Sequence, residues 1–233
     1  MIILRYILFS LICFSPLTSQ WLSFDLSKAD ISTFKEQVEP TIISSALTGG
    51  HSIMLSLTQN QRLGVTVSMP MGWVLASSSY QSNPLLHPFM LEGQFLITGN
   101  LVFKGKMNLF SNDGETVQAA GYGCNYLAES WFTSISLGWL EGPAHLRVRY
   151  VDSAIIGNRA IAETPILFGI GFNKFSGSIL GYDNDAIPRK IDNSITYLIA
   201  GTEYQFGGID INLQTQIHPK FIQLNLTISR LFF

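Results

Sequence analysis

The chain has 233 residues, room for one barrel or one large single domain and too few for two. Only 13% of them are charged and the mean hydropathy is +0.27, about half the charge of an ordinary soluble domain, which argues against a freely dispersed soluble protein. The formal net charge of −2 comes without a basic stripe, which argues against a nucleic-acid partner.

Residues 1–20 read as a Sec-type signal peptide. Arg5 supplies a positive start, 6–14 is an apolar run, Pro16 breaks it, and small residues including Ser19 follow. The apolar run is far too short to span a membrane as a helix. Cys13 follows Ile12, where a lipoprotein signal needs a small residue, so lipidation is not expected. After cleavage one cysteine remains, Cys124, and no intrachain disulfide can form. Beyond residue 20 no stretch of about 18 apolar residues occurs, which excludes a helical inner-membrane protein.

The segment 21–48 has a helical character of its own. Asp30 can cap a helix, and Ile31, Phe34 and Val38 share one face. Pro40 is expected to stop or kink it, and Gly49-Gly50 to break the chain. The segment is expected either to cover one end of the fold or to act as a plug.

From His51 onward the periodicity turns to alternation. Ile209, Ile211, Leu213 and Ile217 oppose Asp210, Asn212, Gln214 and Gln216. Past Pro219, Ile222, Leu224, Leu226 and Ile228 oppose Gln223, Asn225, Thr227 and Ser229. In 145–150, Leu146, Val148 and Tyr150 oppose His145, Arg147 and Arg149. Alternation alone also suits a soluble sandwich. The polar faces, however, are mostly Ser, Thr, Asn, Gln and Gly, which can fill a small lumen, and the apolar faces are then available to lipid.

Twelve strands are expected, near 51–58, 62–69, 90–98, 101–110, 115–124, 130–140, 145–152, 164–173, 176–183, 194–206, 208–217 and 221–232. Connections 153–163 and 184–192 are then long external loops, whereas 141–144, 174–175 and Gly207-Gly208 are short. The long connection 70–89 falls where a short turn is expected, so either 73–80 hides a strand or 90–110 divides differently. Trp131 and Trp139 share a face of 130–140. They are separated by roughly 26 Å along a strand, or about 20 Å along the membrane normal at a tilt near 40°, a spacing that suits two interfacial aromatics. Phe132 and Leu140 fall on the opposite face, where bulk argues for a filled interior or an apolar binding cavity over an open water pore.

The chain closes on Phe232-Phe233 directly after a strand. This resembles the terminal signal of bacterial outer-membrane barrels, which implies recognition by the barrel-assembly machinery. The phase departs from the usual pattern: Leu231 fits the spacing from Phe233, but Ser229, Thr227 and Asn225 do not, and the apolar phase belongs to Phe232. Glu39-Pro40 ending a short helix, the glycines that follow, and the strand opening 165–172 also resemble uncharacterised outer-membrane proteins of marine and Bacteroidetes-like bacteria. That resemblance touches about a quarter of the chain and implies a barrel without an activity. The hatch sequence of long-chain fatty-acid channels is not visible.

The search for chemistry returns little. His51, His87, His145 and His218 show no metal-ligand spacing, and no Gly-x-Ser-x-Gly elbow occurs. Asp183 and Asp185 beside Tyr182, with Arg189 and Lys190 after them, read as solvated loop charge. Cys124 in its Gly-flanked strand reads as a small packing residue. His145, Arg147 and Arg149 are the most suggestive cluster: on the polar face they would lie in the lumen and need partners, with Glu129, Glu141, Glu203 and Asp210 as candidates. They would form either a salt-bridge network or an anion-attracting constriction.

The expectation is an all-β protein, an antiparallel transmembrane β-barrel of about 12 strands, between ten and fourteen, with a short N-terminal helix. The signal peptide covers 1–20, the helical cap or plug 21–48 and the barrel 49–233. The partners expected are outer-membrane lipid, the assembly machinery and a small or hydrophobic solute, with no metal, cofactor or catalytic centre. Passage or binding of solutes leads, a structural or surface-interaction barrel with a filled lumen is the alternative, and an outer-membrane hydrolase comes last.

Overall fold

The computed structural model describes residues 34–53, 55–75, 85–87, 89–112, 115–142, 146–161, 164–179 and 190–232. The signal peptide and the segment 21–33 lie outside the described residues. Helix α1 (Phe34–Gly50) is followed by non-helical stretches, 51–53 and 55–57, and a tight turn closed by a bridge between Thr58 and Gln61. Eleven strands follow: β1 (Leu63–Val74), β2 (Leu85–Leu86), β3 (Met90–Leu96), β4 (Leu101–Asn112), β5 (Glu115–Leu127), β6 (Trp131–Glu141), β7 (Leu146–Ile161), β8 (Thr164–Ile179), β9 (Lys190–Phe206), β10 (Ile209–His218) and β11 (Phe221–Phe232).

Every strand pairs antiparallel with its neighbour in sequence, apart from β2 and β3, which both pair with β1. β11 returns to β1 in a register from Leu63–Phe232 to Val74–Phe221, so the sheet is a closed barrel. β2 and β3 are two pieces of one stave. Ser68 faces Met90 and Met71 faces Leu86, so two residues of β1 oppose three of its partner. That is a β-bulge, placed where Pro70 has no N–H to give to the ladder; the Pro70 carbonyl instead accepts from His87 N at 3.2 Å. The described strands thus make ten staves.

The connections at one end, 97–100, 128–130, 162–163 and 207–208, are all short. The last is a two-residue hairpin with Gly207 and Gly208 at φ 60° and 81°, the left-handed pair that such a turn demands. The opposite end carries the two longest connections, 75–84 and 180–189, with the short ones 113–114, 142–145 and 219–220. β1 begins and β11 ends at the short-turn end.

The two faces are inverted relative to a water-soluble barrel. Ile155, Phe168 and Leu198 point outward and are 55%, 55% and 58% exposed, while Lys104, Asn125 and Asn225 point inward and are fully buried. β1 and β10 show the pattern, with Thr66 in and Val67 out, or Asn212 in and Leu213 out, whereas β7 and β9 bury apolar residues such as Val148 and Ile199.

The strand count differs from the expected twelve for two reasons. Residues 164–179 form a single strand, because Asn173 and Phe175 stay in phase across the point where a turn was read. Residues 51–57 alternate but do not join the sheet, and their backbone is bound by lumenal side chains instead. β1 runs on to Val74, which places 75–84 at the loop end and removes the parity conflict. Residues 153–161 belong to β7 and are not an external loop. The helix also runs ten residues past Pro40. It survives the missing N–H because the turns after it are packed on every side, and packing outweighs propensity.

Candidate functional site

Ten strands about 4.8 Å apart and tilted about 40° have a circumference of about 60 Å and a backbone radius of about 10 Å. That leaves room for one helix about 10 Å across, and one helix is there. Every residue from Thr41 to Gly50 is buried. Helix α1 packs chiefly on β6, β7 and β8, where Val38, Ile42, Ala46 and Leu47 share a core with Phe132, Val148, Tyr150 and Phe175. Small residues make the fit possible. A Cβ on Gly49 would run into the Tyr150 ring, and one on Gly50 would lie 2.6 Å from the Asp152 carboxyl carbon. The Tyr150 hydroxyl in turn fills the space over the wall glycines Gly121 and Gly138.

Polar contacts fasten the same segment along the length of the lumen. Near the loop end Asn193 donates to the Glu39 carboxylate, and Ser44 Oγ lies 2.5 Å from His87 Nε2. Farther down, Asn173 Nδ2 donates to the Ala46 carbonyl at 3.2 Å, and the Gln223 amide meets Thr48 Oγ1 at 2.9 Å. Below the helix, Lys106 Nζ donates to the His51 carbonyl at 2.6 Å, and Lys104 Nζ to Ser52 Oγ at 2.5 Å and Ser134 Oγ at 2.6 Å. Gln94 Nε2 donates to the Ile53 carbonyl at 3.1 Å, and Leu55 then reaches Gly64 at the start of β1.

The charges at this level balance. Lys106 Nζ lies 3.5 Å from Glu92 Oε2. Asp152 Oδ2 accepts from Tyr197 Oη at 2.8 Å and Asn173 Nδ2 at 2.9 Å. Two lysines and two carboxylates are thus buried in the lumen, each with polar partners, as confined charge requires. The wall formed by β10 and β11 is polar and mostly uncharged, with Asn212, Gln214, Gln216, Asn225 and Thr227 pointing inward. Among the described residues, no group of three or more His, Cys, Asp or Glu could hold a metal ion.

The basic cluster read from β7 is not lumenal. Leu146, Val148 and Tyr150 are buried inside, Arg149 is exposed on the outer face, and Arg147 is partly exposed beside it. The reason is helix α1: it makes the lumen apolar at this level, so the apolar face of β7 turns inward. Arg147 Nη2 meets Glu141 Oε2 at 2.8 Å on the outside, and Arg149 stands opposite Trp139 in the register. His145 lies outside the described residues, as do Tyr182, Asp183, Asp185 and Arg189. Of the other proposed partners, Glu129 is exposed in a turn, while Glu203 and Asp210 lie on neighbouring strands at the turn end, Asp210 buried. Cys124 is exposed on the outer face and is not an interior packing residue.

Trp131 is exposed on the outer face near the turn end, its ring 6.1 Å from that of Tyr126, and Trp139 stands on the same face near the loop end of β6. Phe232 continues the outer face of β11, with the Arg230 guanidinium 5.5 Å from its ring. Phe233 lies outside the described residues. Sequence reasoning passed over the lumenal charges Glu92, Lys104, Lys106 and Asp152. The signal for the lysines was present, since Lys104, Lys106 and Asn108 alternate with Phe103 and Met107.

No protein-family model and no curated protein matches the sequence. Among solved structures, an outer membrane channel from Pseudomonas putida F1 is similar at 11% identity, over 78% of this chain and 100% of its own, with a TM-score of 0.39. A bacterial polysaccharide outer membrane secretin is similar at 8% identity, over 76% and 100%, with a TM-score of 0.39. The N-terminal β-barrel domain of Pseudomonas aeruginosa OprF is similar at 12% identity, over 75% and 100%, with a TM-score of 0.30. All three are bacterial outer-membrane proteins, and the likeness is one of general architecture alone. The marine and Bacteroidetes-like group finds no counterpart among these matches.

Proposed function

We propose that the chain is an integral β-barrel of the bacterial outer membrane, exported by the Sec route and inserted by the barrel-assembly machinery, which stands closed around its own N-terminal segment. The apolar outer surface supports the membrane reading: exposed Ile, Leu and Phe such as Ile155, Leu198 and Phe168, around an interior that buries Lys104, Asn125 and Asn225 beside the apolar core of helix α1, suit lipid and not water. Trp131 and Trp139 then mark the two interfaces, with Arg149 level with Trp139 and the rim pair Arg147 and Glu141 beyond it.

The single observation that carries the closed state is the burial of Thr41 to Gly50 on all sides within a lumen one helix wide. Passage or binding of a small or hydrophobic solute then requires residues 38–57 to move, which exposes the neutral amide wall of β10 and β11. The alternative, a structural or surface-interaction barrel, is favoured by the apolar seal between Ile42, Leu47 and Val148. Detergent-extracted protein should migrate faster unheated than boiled, and liposomes containing it should not swell in any sugar. Swelling by the unmodified protein overturns the closed reading, and recovery in the soluble fraction overturns the barrel. If liposomes carrying a Gly49 variant that unseats the helix also fail to swell, the structural alternative replaces passage.

A further inference from the structure

Helix α1 enters the lumen from the end opposite to the one where β1 begins. Its early residues sit among strand ends at the loop side. Glu39 is held by Asn193, three residues into β9, and Ile42 lies against Gly177, near the end of β8. Ser44 faces Gly72, near the end of β1. The chain then descends past Asn173, Asp152, Ser134 and Gln94 to Leu55 beside Gly64. Only after the Thr58–Gln61 turn does β1 rise again. The segment crosses the full height of the barrel.

The described chain thus begins, with helix α1, at the loop end of the barrel. In outer-membrane barrels the short turns face the periplasm and the long loops face outward. Here the short-turn end holds the start of β1 and the end of β11. From this we infer that the barrel is the conduit and anchor of its own N-terminal segment, which it presents at the cell surface. The inference rests on the membrane reading above and adds a sidedness to it. Apolar packing on Val148 and Phe132 holds the segment, with hydrogen bonds from Lys104, Lys106 and Gln94. The lumen thus works as a clamp on a threaded strand of chain.

Single cysteines placed in a Cys124→Ser background test this in intact and permeabilised cells with a membrane-impermeant biotin maleimide. Ser27→Cys probes the N-terminal segment, Lys220→Cys the loop end, and Glu129→Cys the turn end. Unheated gel mobility checks that each variant is a folded barrel. The expected result is labelling of Ser27→Cys and Lys220→Cys in intact cells, and of Glu129→Cys only after permeabilisation. Labelling of Ser27→Cys only after permeabilisation, with Lys220→Cys reactive throughout, overturns surface display and leaves the barrel reading intact. Labelling of Glu129→Cys but not Lys220→Cys in intact cells inverts the orientation and overturns display with it. A failed barrel reading shows separately, as the absence of a heat-modifiable species from the outer membrane.

Discussion

The ring of Tyr150 lies directly against the backbone of Gly49, in the space that a side chain on that glycine would need. The ring has no retreat, because its hydroxyl is already set over Gly121 and Gly138. Alanine at position 49 would by itself favour the helix by about 1 kcal/mol. Overpacking of a filled core costs about 1–3 kcal/mol, and with the ring fixed the second term wins. Gly49→Ala should therefore lower the urea midpoint and raise the leak conductance in planar bilayers. Adding Tyr150→Ala should restore closure. An unchanged conductance in the single variant would show that this contact does not seat the helix.

Lys106 and Glu92 form a buried pair, with side chains 2% and 6% exposed. Removing one partner of such a pair typically costs about 3–5 kcal/mol, while replacing both is close to neutral. Lys106→Met should destabilise the barrel strongly, and Lys106→Met with Glu92→Gln should recover most of the loss. Thermal unfolding followed by gel mobility reads both. Additive losses would mean that the pair is not coupled.

Tyr197 Oη is one of two donors to Asp152 Oδ2. Tyr197→Phe leaves the buried carboxylate short of a donor, and a buried group left unsatisfied costs about 1–3 kcal/mol. The variant should keep its fold and lose stability by that amount in urea titration. Stability equal to the parent would place the anchor of Asp152 on Asn173 alone.

The outer face offers a test that separates lipid from water. Ile155 stands in the apolar band, and an arginine there should cost about 2–4 kcal/mol if the surface is lipid-covered at mid-depth. Arg149→Leu, at the rim, should change little. In a soluble barrel Ile155→Arg would be neutral or helpful, so a harmless Ile155→Arg counts directly against the membrane.

Much of the wall was legible because its chemistry is strictly two-periodic. β10 and β11 announce themselves through Ile209 to Ile217 and Ile222 to Ile228, where each face has one character from end to end. β7 misled for a physical reason: polarity identifies the lumen only when the lumen is filled by polar groups. Beside helix α1 the interior is apolar, so Leu146, Val148 and Tyr150 turn in and Arg147 and Arg149 turn out. Residues 51–57 misled in the same way, since alternation reports two different surroundings and not a ladder. The helix boundary at Pro40 was read from local propensity, which cannot register burial by strands as distant in sequence as β6, β7 and β8. What joins these errors is one long-range fact, the passage of the chain through its own barrel.

The seam between β1 and β11 takes on a particular place in time from this arrangement. Leu63 and Phe232 are register partners at opposite ends of the strand sequence, the most sequence-distant pairing in the wall and hence among the slowest to form. Residues 38–57 come immediately before β1, so they must already lie between the staves when Phe221–Phe232 meets Leu63–Val74. Once that zipper shuts, the ring encircles the chain and no strand end remains free to release it. Closure of the last hairpin-free pairing is therefore the step that commits the molecule, and a refolding intermediate with nine interfaces formed and the seam open should be the species that accumulates.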